Sequence, residues 1–379
     1  MTILVNQQKA IPSGFSKILH FHWALAFLLS AVGSIGILML VSVAGGEMEP
    51  WAAPQMTRLA FGLVLMIAFA FVPVSVFRRL SVLAYLATIV LLLAVAEYGA
   101  TGMGARRWIE LGPFRAQPSE MMKVALVMVL AWYYDALPAE WTSRPLWVLP
   151  PIVLTLIPAV LVLRQPDLGT ATLILLGGGA MMFIAGVAWQ YFALGMGLVL
   201  AAIAMVFMSR GTKYQILENY QYQRIETFLN PASDPLGAGY HITQSMIALG
   251  SGGVSGRGYM QGTQSRLNFL PEKHTDFIFT TLVEELGITG GAVLAAAYSL
   301  IVIFCVLSAI SNPNRFGALL TLGIGTTFFL YFAVNMAMVM GLAPVVGVPL
   351  PLVSYGGSAM IVVLAAFGLV QSAHVHKSR

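Results

Sequence analysis

The sequence predicts an all-α integral membrane protein with about ten transmembrane helices and a large periplasmic loop between helices 7 and 8. Three observations carry that expectation. Of the 379 residues, 58% are hydrophobic and only 9% are charged, whereas a soluble domain carries about 25% charged residues. So few charges cannot cover a water-facing surface, and the solvent for most of the chain is lipid. The apolar residues are also gathered into runs near the length of about 20 residues that one bilayer crossing needs. Finally, a single long polar segment, 209–275, interrupts the series. In hydrocarbon every backbone N–H and C=O must be bonded within its own segment, so the runs are helices rather than strands.

The runs fall at 23–43, 57–76, 80–98, 119–136, 145–163, 169–187, 189–208, 277–309, 316–340 and 349–373. The first is too long for the apolar stretch of a cleavable signal and reads as an anchor; the residues before it are mixed and polar, with Lys9 and Lys17. The fifth contains Pro145, Pro150, Pro151 and Pro158, which predict a kink. With the N-terminus inside, the cytoplasmic segments hold Lys9, Lys17, Arg78, Arg79, Arg144, Arg315, Lys377 and Arg379, and the short outer segments hold Arg58, Arg106, Arg107, Arg115 and Arg164. That bias puts both termini in the cytoplasm and marks the outer arginines as an excess that needs a role. The segment 209–275 then faces the periplasm. It is marginal in size for a core of its own, so 1–379 reads as a single domain whose loop lies across the bundle, with 214–229 as an interfacial helix. The lone Cys305 excludes an internal disulfide and a thiolate metal site. The formal charge of +5 suits an anionic partner but equally serves topology, so it assigns no function. The glycine-rich GSGGVSGRG at 250–258 is no P-loop, because no GK[ST] follows.

Ionisable residues inside apolar runs are functional candidates, because an unpaired charge in lipid is costly. Glu120 and Lys123, three apart in QPSEMMK, share one helix face, either as a buried ion pair or as the polar wall of a cavity. The preceding loop supplies Arg106, Arg107 and Arg115 as anion-binding or headgroup-anchoring residues. Asp276, in LPEKHTDFIF beside Lys273 and His274, opens the eighth run. There Thr275 or Asp276 caps a helix, or the Asp276 carboxylate stands at the lip of an apolar cavity, where desolvation raises its pKa and suits it to general-base work. Glu284 and Glu285 are expected about two turns deeper on the same helix, roughly 12 Å below Asp276 and on diverging faces, in separate roles, one of them pairing with another helix. QPDLGT at 165–170 puts Asp167 in a tight outer turn beside Arg164, and SYGGS at 354–358 gives Ser354 and small residues for packing in the last run.

These clusters, in this order, resemble the SEDS family (shape, elongation, division and sporulation) of bacterial envelope proteins. The resemblance runs through GARRWIELGPFRAQPSEMMK at 104–123, QPDLGTA at 165–171, DPLGAGYHITQSMIALGSGG at 234–253, GTQSRLNFLPEKHTDFIF at 262–279, EELG at 284–287 and PLPLVSYGGSAM at 349–360. GTQS followed by NFLPEKHTDFIF is closer to the rod-elongation branch than to the division branch. The resemblance implies ten helices and polymerisation of lipid II into glycan strands on the outer side of the bacterial inner membrane. It implies a class B penicillin-binding protein and other elongation-complex proteins as partners, and no nucleic acid. The aspartate of HTDF, the catalytic candidate of the family, falls on Asp276, and the pair of QPSExxK on Glu120 and Lys123. The substrate-binding candidates are then Glu120, Lys123, Arg106, Arg107, Arg115, Asp167, His274, Lys273 and Ser354. Direct attack of an acceptor hydroxyl on the donor's anomeric carbon needs one base, the role assigned to Asp276. The leaving pyrophosphate needs positive charge from arginines, Lys123, or a divalent cation, Mg²⁺ or Mn²⁺, for which Asp276 is the protein ligand. Two other functions fit a hydropathy profile of this kind: a flippase for a lipid-linked precursor, and a non-catalytic scaffold that activates a penicillin-binding protein. Placement of the key carboxylate at one face rather than at the midplane favours the enzyme.

Overall fold

The structure, a computed structural model, describes residues 16–102, 105–111, 114–209, 215, 222, 238–267, 269–270 and 272–377. Its helices are α1 (Ser16–His20), α2 (Trp23–Val43), α3 (Ala52–Phe71), α4 (Val74–Tyr98), α5 (Pro118–Ala136), α6 (Pro145–Leu163), α7 (Leu168–Ile184), α8 (Trp189–Ser209), α9 (Ala238–Ser251), α10 (Thr263–Arg266), α11 (Ile278–Ile310), α12 (Arg315–Val339) and α13 (Gly357–Val375). Every predicted run holds a helix. Eight of them, α2, α3, α4, α6, α8, α11, α12 and α13, are long and apolar enough to cross a bilayer. The other two are α7, apolar but 17 residues long, and α5, which carries Glu120, Lys123 and Asp135. The second and third helices start about a turn earlier than their apolar runs, because the break falls at Pro73, which has no N–H to continue a helix. The last helix starts later than expected. Residues 349–356 are not helical and contain a turn at 351–353, so Ser354 lies outside the span and the glycines of SYGGS begin the helix instead of packing within it.

A further departure lies at 100–116, expected as a loop. It is a small antiparallel sheet in the order β1 (Ala100–Gly102), β2 (Ala105–Leu111), β3 (Phe114–Ala116), with Thr101 opposite Arg106 and Glu110 opposite Arg115. The expected interfacial helix at 214–229 lies outside the described residues, apart from 215 and 222. The long segment contributes α9 and α10.

Prolines inside α6 remove backbone donors, and the bundle replaces them. Pro158 has no N–H for the Leu154 carbonyl, and the Tyr85 hydroxyl donates to it at 2.9 Å. Pro151 likewise frees the Trp147 carbonyl, which accepts from the Tyr133 hydroxyl at 2.8 Å. The predicted strain point thus ties α6 to α4 and α5. The bundle packs α13 on α3, α4 on α5, α11 on α12 and α6 on α7. Its buried interior is mostly apolar, with hydroxyls such as Thr88 and Thr155 bonded back to their own helices.

The long α11 is two helices joined at Gly287, whose backbone is non-helical (φ 72°, ψ −174°). A break at that point frees peptide groups that lipid cannot satisfy. The glycine-rich segment supplies the partners. Arg257 and Gly258 N–H donate to the Glu284 and Glu285 carbonyls at 3.0 and 2.9 Å, while Ile288 and Thr289 N–H donate to the Gly253 and Val254 carbonyls at 2.9 and 3.2 Å. A Cβ at Gly287 would collide with the Val254 carbonyl, and one at Gly256 with the Glu285 carbonyl. The glycines therefore permit backbone-to-backbone splicing.

Candidate functional site at one end of the bundle

The start of α5 supplies the first element. Pro118 stands at the first helical turn, where its missing N–H costs nothing, and the next turn brings Glu120 and Lys123 onto one face. They form the predicted ion pair: Lys123 Nζ donates to Glu120 Oε1 at 2.6 Å, with both residues buried. The Tyr331 hydroxyl of α12 donates to Glu120 Oε2 at 2.6 Å, and Lys123 Nζ stands 4.1 Å from the centre of the Tyr331 ring. With Tyr331 and Thr327, the pair forms the polar wall of a cavity lined elsewhere by apolar groups of α5, α12 and α13, among them Val127, Ile324, Phe328 and Val363. Both predicted roles, pair and cavity wall, hold at once.

Asp276 supplies the second element. It does not lie on a helix with Glu284 and Glu285. It sits in a turn, and α11 begins only at Ile278 with Phe277 as its N-cap and no side-chain cap. The expected capping by Thr275 or Asp276 is therefore absent, and the Thr275 hydroxyl donates to Glu272 Oε2 at 2.9 Å instead. The separation estimated along a shared helix does not apply to a turn. What holds Asp276 is its backbone: Asn335 Nδ2 of α12 donates to the Asp276 carbonyl at 2.9 Å and to the Val348 carbonyl at 2.7 Å. The Ser354 hydroxyl donates to the Thr275 carbonyl at 2.6 Å, and Tyr355 N–H to the His274 carbonyl at 2.9 Å. The Asp276 carboxylate makes no hydrogen bond or ion pair among the described residues. Burial pushes its pKa up to about 6, with Glu272 adding to the rise. A carboxylate that is desolvated but unbonded can accept a proton near neutral pH.

Tyr331 and Asn335 are one helical turn apart on α12, about 6 Å along its axis. The buried pair and the turn bearing Asp276 are therefore fastened to one face of one helix.

Other predicted residues are placed as follows. Asp167 caps α7, accepting from Thr170 N–H at 3.2 Å, and its second oxygen accepts from Gln117 Nε2 at 3.1 Å. Arg107 donates to the Gln165 carbonyl at 3.2 Å and to the Pro166 carbonyl, pinning the sheet to that turn. Arg115 is exposed and pairs with Glu110 at 3.0 Å. The side chain of Arg106 lies outside the described residues. Lys273 Nζ donates to the Ser265 carbonyl at 2.6 Å, and burial lowers its pKa. His274 stacks on Trp51 at 4.7 Å, and burial likewise lowers its pKa.

Glu284 and Glu285 have a different task. Glu284 Oε1 accepts from Gln264 N–H at 2.9 Å; Glu285 accepts from Met260 N–H at 3.0 Å and from the Ser42 hydroxyl of α2 at 2.5 Å. Both anchor the extramembrane segment, and Glu285 also makes the expected link to another helix. Sequence reasoning missed Tyr331 and Asn335. A polar Asn335 within an apolar run was the available signal for the second.

A polytopic bundle with a buried ion pair and an unbonded carboxylate gathered at one end defines a membrane protein with a polar centre for chemistry or transport. The sequence matches the family described as Cell cycle protein (FtsW, RodA, SpoVE) over residues 17–379. It is 41% identical over 363 residues to peptidoglycan glycosyltransferase MrdB of Escherichia coli (strain K12), covering 94% of each chain. It is 33% identical to peptidoglycan glycosyltransferase RodA of Treponema pallidum (strain Nichols), over 93% of this chain and 97% of that one. Its fold matches a chain of a peptidoglycan synthase complex that coordinates polymerization and crosslinking (TM-score 0.81, 31% identity, covering 93% and 97%). It also matches the rod shape determining protein RodA of Thermus thermophilus (TM-score 0.70, 28% identity, covering 95% and 98%). The chain belongs to the FtsW, RodA and SpoVE family, the SEDS proteins.

Proposed function

We propose that the chain is the peptidoglycan glycosyltransferase of bacterial cell elongation, polymerising lipid II into glycan strands at the periplasmic face of the inner membrane. The observation that carries the reading is the fastening of Asp276 and the Glu120–Lys123 pair to adjacent turns of α12. This holds the Asp276 turn and the buried ion pair against one helix face, through Asn335 and Tyr331.

In the proposed reaction an acceptor sugar hydroxyl attacks the anomeric carbon of the donor sugar. The new C–O bond forms as the bond to undecaprenyl pyrophosphate breaks, inverting the centre. Asp276 takes the hydroxyl proton, and the electron pair of the broken bond leaves on the pyrophosphate. Lys123 and Tyr331 form the polar wall facing the apolar cavity, where a lipid-linked donor can rest with its polar end outward. A metal-binding role is the alternative for Asp276: as a ligand it would help substrate phosphates hold Mg²⁺ or Mn²⁺ instead of taking the hydroxyl proton. When bound, such an ion supplies positive charge to the leaving group.

Both termini are cytoplasmic in this reading. The partner is a class B penicillin-binding protein, with other elongation proteins around it, engaging the transmembrane helices and the segment 209–275. The test is polymerisation of labelled lipid II by purified protein with its cognate penicillin-binding protein, wild type against Asp276→Ala. Strand formation by wild type alone supports the reading. Equal product from both proteins removes Asp276 from the mechanism. If neither makes polymer, lipid II translocation in liposomes becomes the assay.

A further inference from the structure

The first turns of α3 carry Trp51, Gln55 and Arg58 at spacings of four and three, which puts them on one helix face. That face is bound to the segment beside Asp276. Trp51 stacks on His274, and Gln55 Nε2 donates to the Ser354 carbonyl at 2.8 Å. Arg58 Nη2 donates to the Tyr355 hydroxyl at 3.2 Å, and its guanidinium lies 4.8 Å from the centre of the Tyr355 ring. Tyr355 in turn is bonded to the His274 carbonyl, two residues from the reactive carboxylate. The remaining terminal nitrogen of Arg58, Nη1, is buried and has no hydrogen-bond partner among the described residues, and no carboxylate there pairs with it. A guanidinium is always charged, and a buried, unfilled N–H on it is costly unless something accepts from it. The loop arginines expected to grip an anion differ. Arg107 is engaged by backbone carbonyls and Arg115 by Glu110.

We infer that Arg58 is a substrate-binding residue whose free N–H grips an oxygen of the donor's diphosphate, with Tyr355 fixing the plane of its guanidinium. This rests on the glycosyltransferase reading and names the cation for its leaving group. Guanidinium matches phosphate oxygens in geometry and charge. Carboxylates of the substrate's peptide share that anionic chemistry, so the experiment separates the two.

Polymerisation of lipid II is measured for wild type, Arg58→Gln and Arg58→Lys, with undecaprenyl diphosphate, which has no peptide, as inhibitor. For Arg58→Gln, KM for lipid II and the inhibition constant for undecaprenyl diphosphate both rise about ten- to a hundredfold, while kcat changes less, and Arg58→Lys recovers part of the loss. A raised KM with unchanged inhibition assigns Arg58 to the peptide and overturns the inference, as do wild-type constants for Arg58→Gln. Wild-type protein gives an answer independent of variant folding: undecaprenyl diphosphate should protect Arg58 from phenylglyoxal, read by mass spectrometry, and equal labelling overturns the inference. If wild type itself makes no polymer, the failure belongs to the glycosyltransferase reading; diphosphate protection of Arg58 is then still decided by the labelling.

Discussion

Glu120–Lys123 and Asp276 are fastened to neighbouring turns of the same helix, yet they are built in opposite ways. The pair is closed: each charge meets the other, Tyr331 donates to the remaining carboxylate oxygen, and both residues are sealed from solvent. Asp276 is open: its backbone is held by Asn335 while its carboxylate is left without a bond among the described residues. A closed pair, with its charges matched and its oxygens filled, serves as a fixed polar wall. An open, desolvated carboxylate exchanges a proton readily. Positioning through the backbone lets the protein place a reactive side chain without quenching it.

The comparison is broken most strongly at Asp276. Asp276→Asn preserves shape and removes the base, and polymerisation should fall by about 10²- to 10⁴-fold, while the protein still inserts and purifies normally. Next comes the pair. Lys123→Met leaves Glu120 buried without a counter-charge, which should cost about 3–5 kcal/mol of stability and lower the thermal midpoint in detergent. The double variant Glu120→Gln with Lys123→Met should recover most of that loss while polymerisation stays impaired. If the single and double variants melt alike, the pair is not a stability unit.

The contrast sharpens with pH. The Asp276 carboxyl is raised from its ordinary 3.8 to about 6. The deprotonated base therefore forms as pH rises through about 6, and kcat/KM should fall about tenfold per unit below that point. The stability sign is opposite. A raised folded pKa favours the folded state below 3.8, and that contribution is lost as pH rises through about 6. Activity and stability should move in opposite directions across this window, and the opposition should vanish in Asp276→Asn. The smallest effect belongs to Arg115→Ala. An exposed pair with Glu110 contributes little, so polymerisation should stay within about twofold of wild type.

The helices were legible because hydrocarbon imposes one length and one bonding rule on every crossing. The Glu120–Lys123 pair was legible because its partners are three residues apart on one helix. Tyr331 and Asn335 were not legible as partners, because they come from a helix over 200 residues away from Glu120 and 59 away from Asp276 in the chain. Spacing rules do not reach that far. The partners of the loop arginines were hidden for a related reason. Residue type marks Arg107 and Arg115 as anion ligands, and only folding reveals that carbonyls of the 165–166 turn and Glu110 also engage them. The N-cap expected at Thr275 or Asp276 failed because the chain turns once more, through Phe277, before α11 begins.

The break in α11 has a mechanical meaning. The short arm from Ile278 to Leu286 is cut from the rest at Gly287, is sewn by its peptide groups to the glycine-rich strap, and bears Asp276 just beyond its tip. The same strap also takes the first peptide N–H groups of the long arm, at Ile288 and Thr289, so it clamps both sides of the break. Neither arm can shift against the strap without breaking peptide hydrogen bonds, which makes the segment before Asp276 a fixed part of the bundle and not a loose loop.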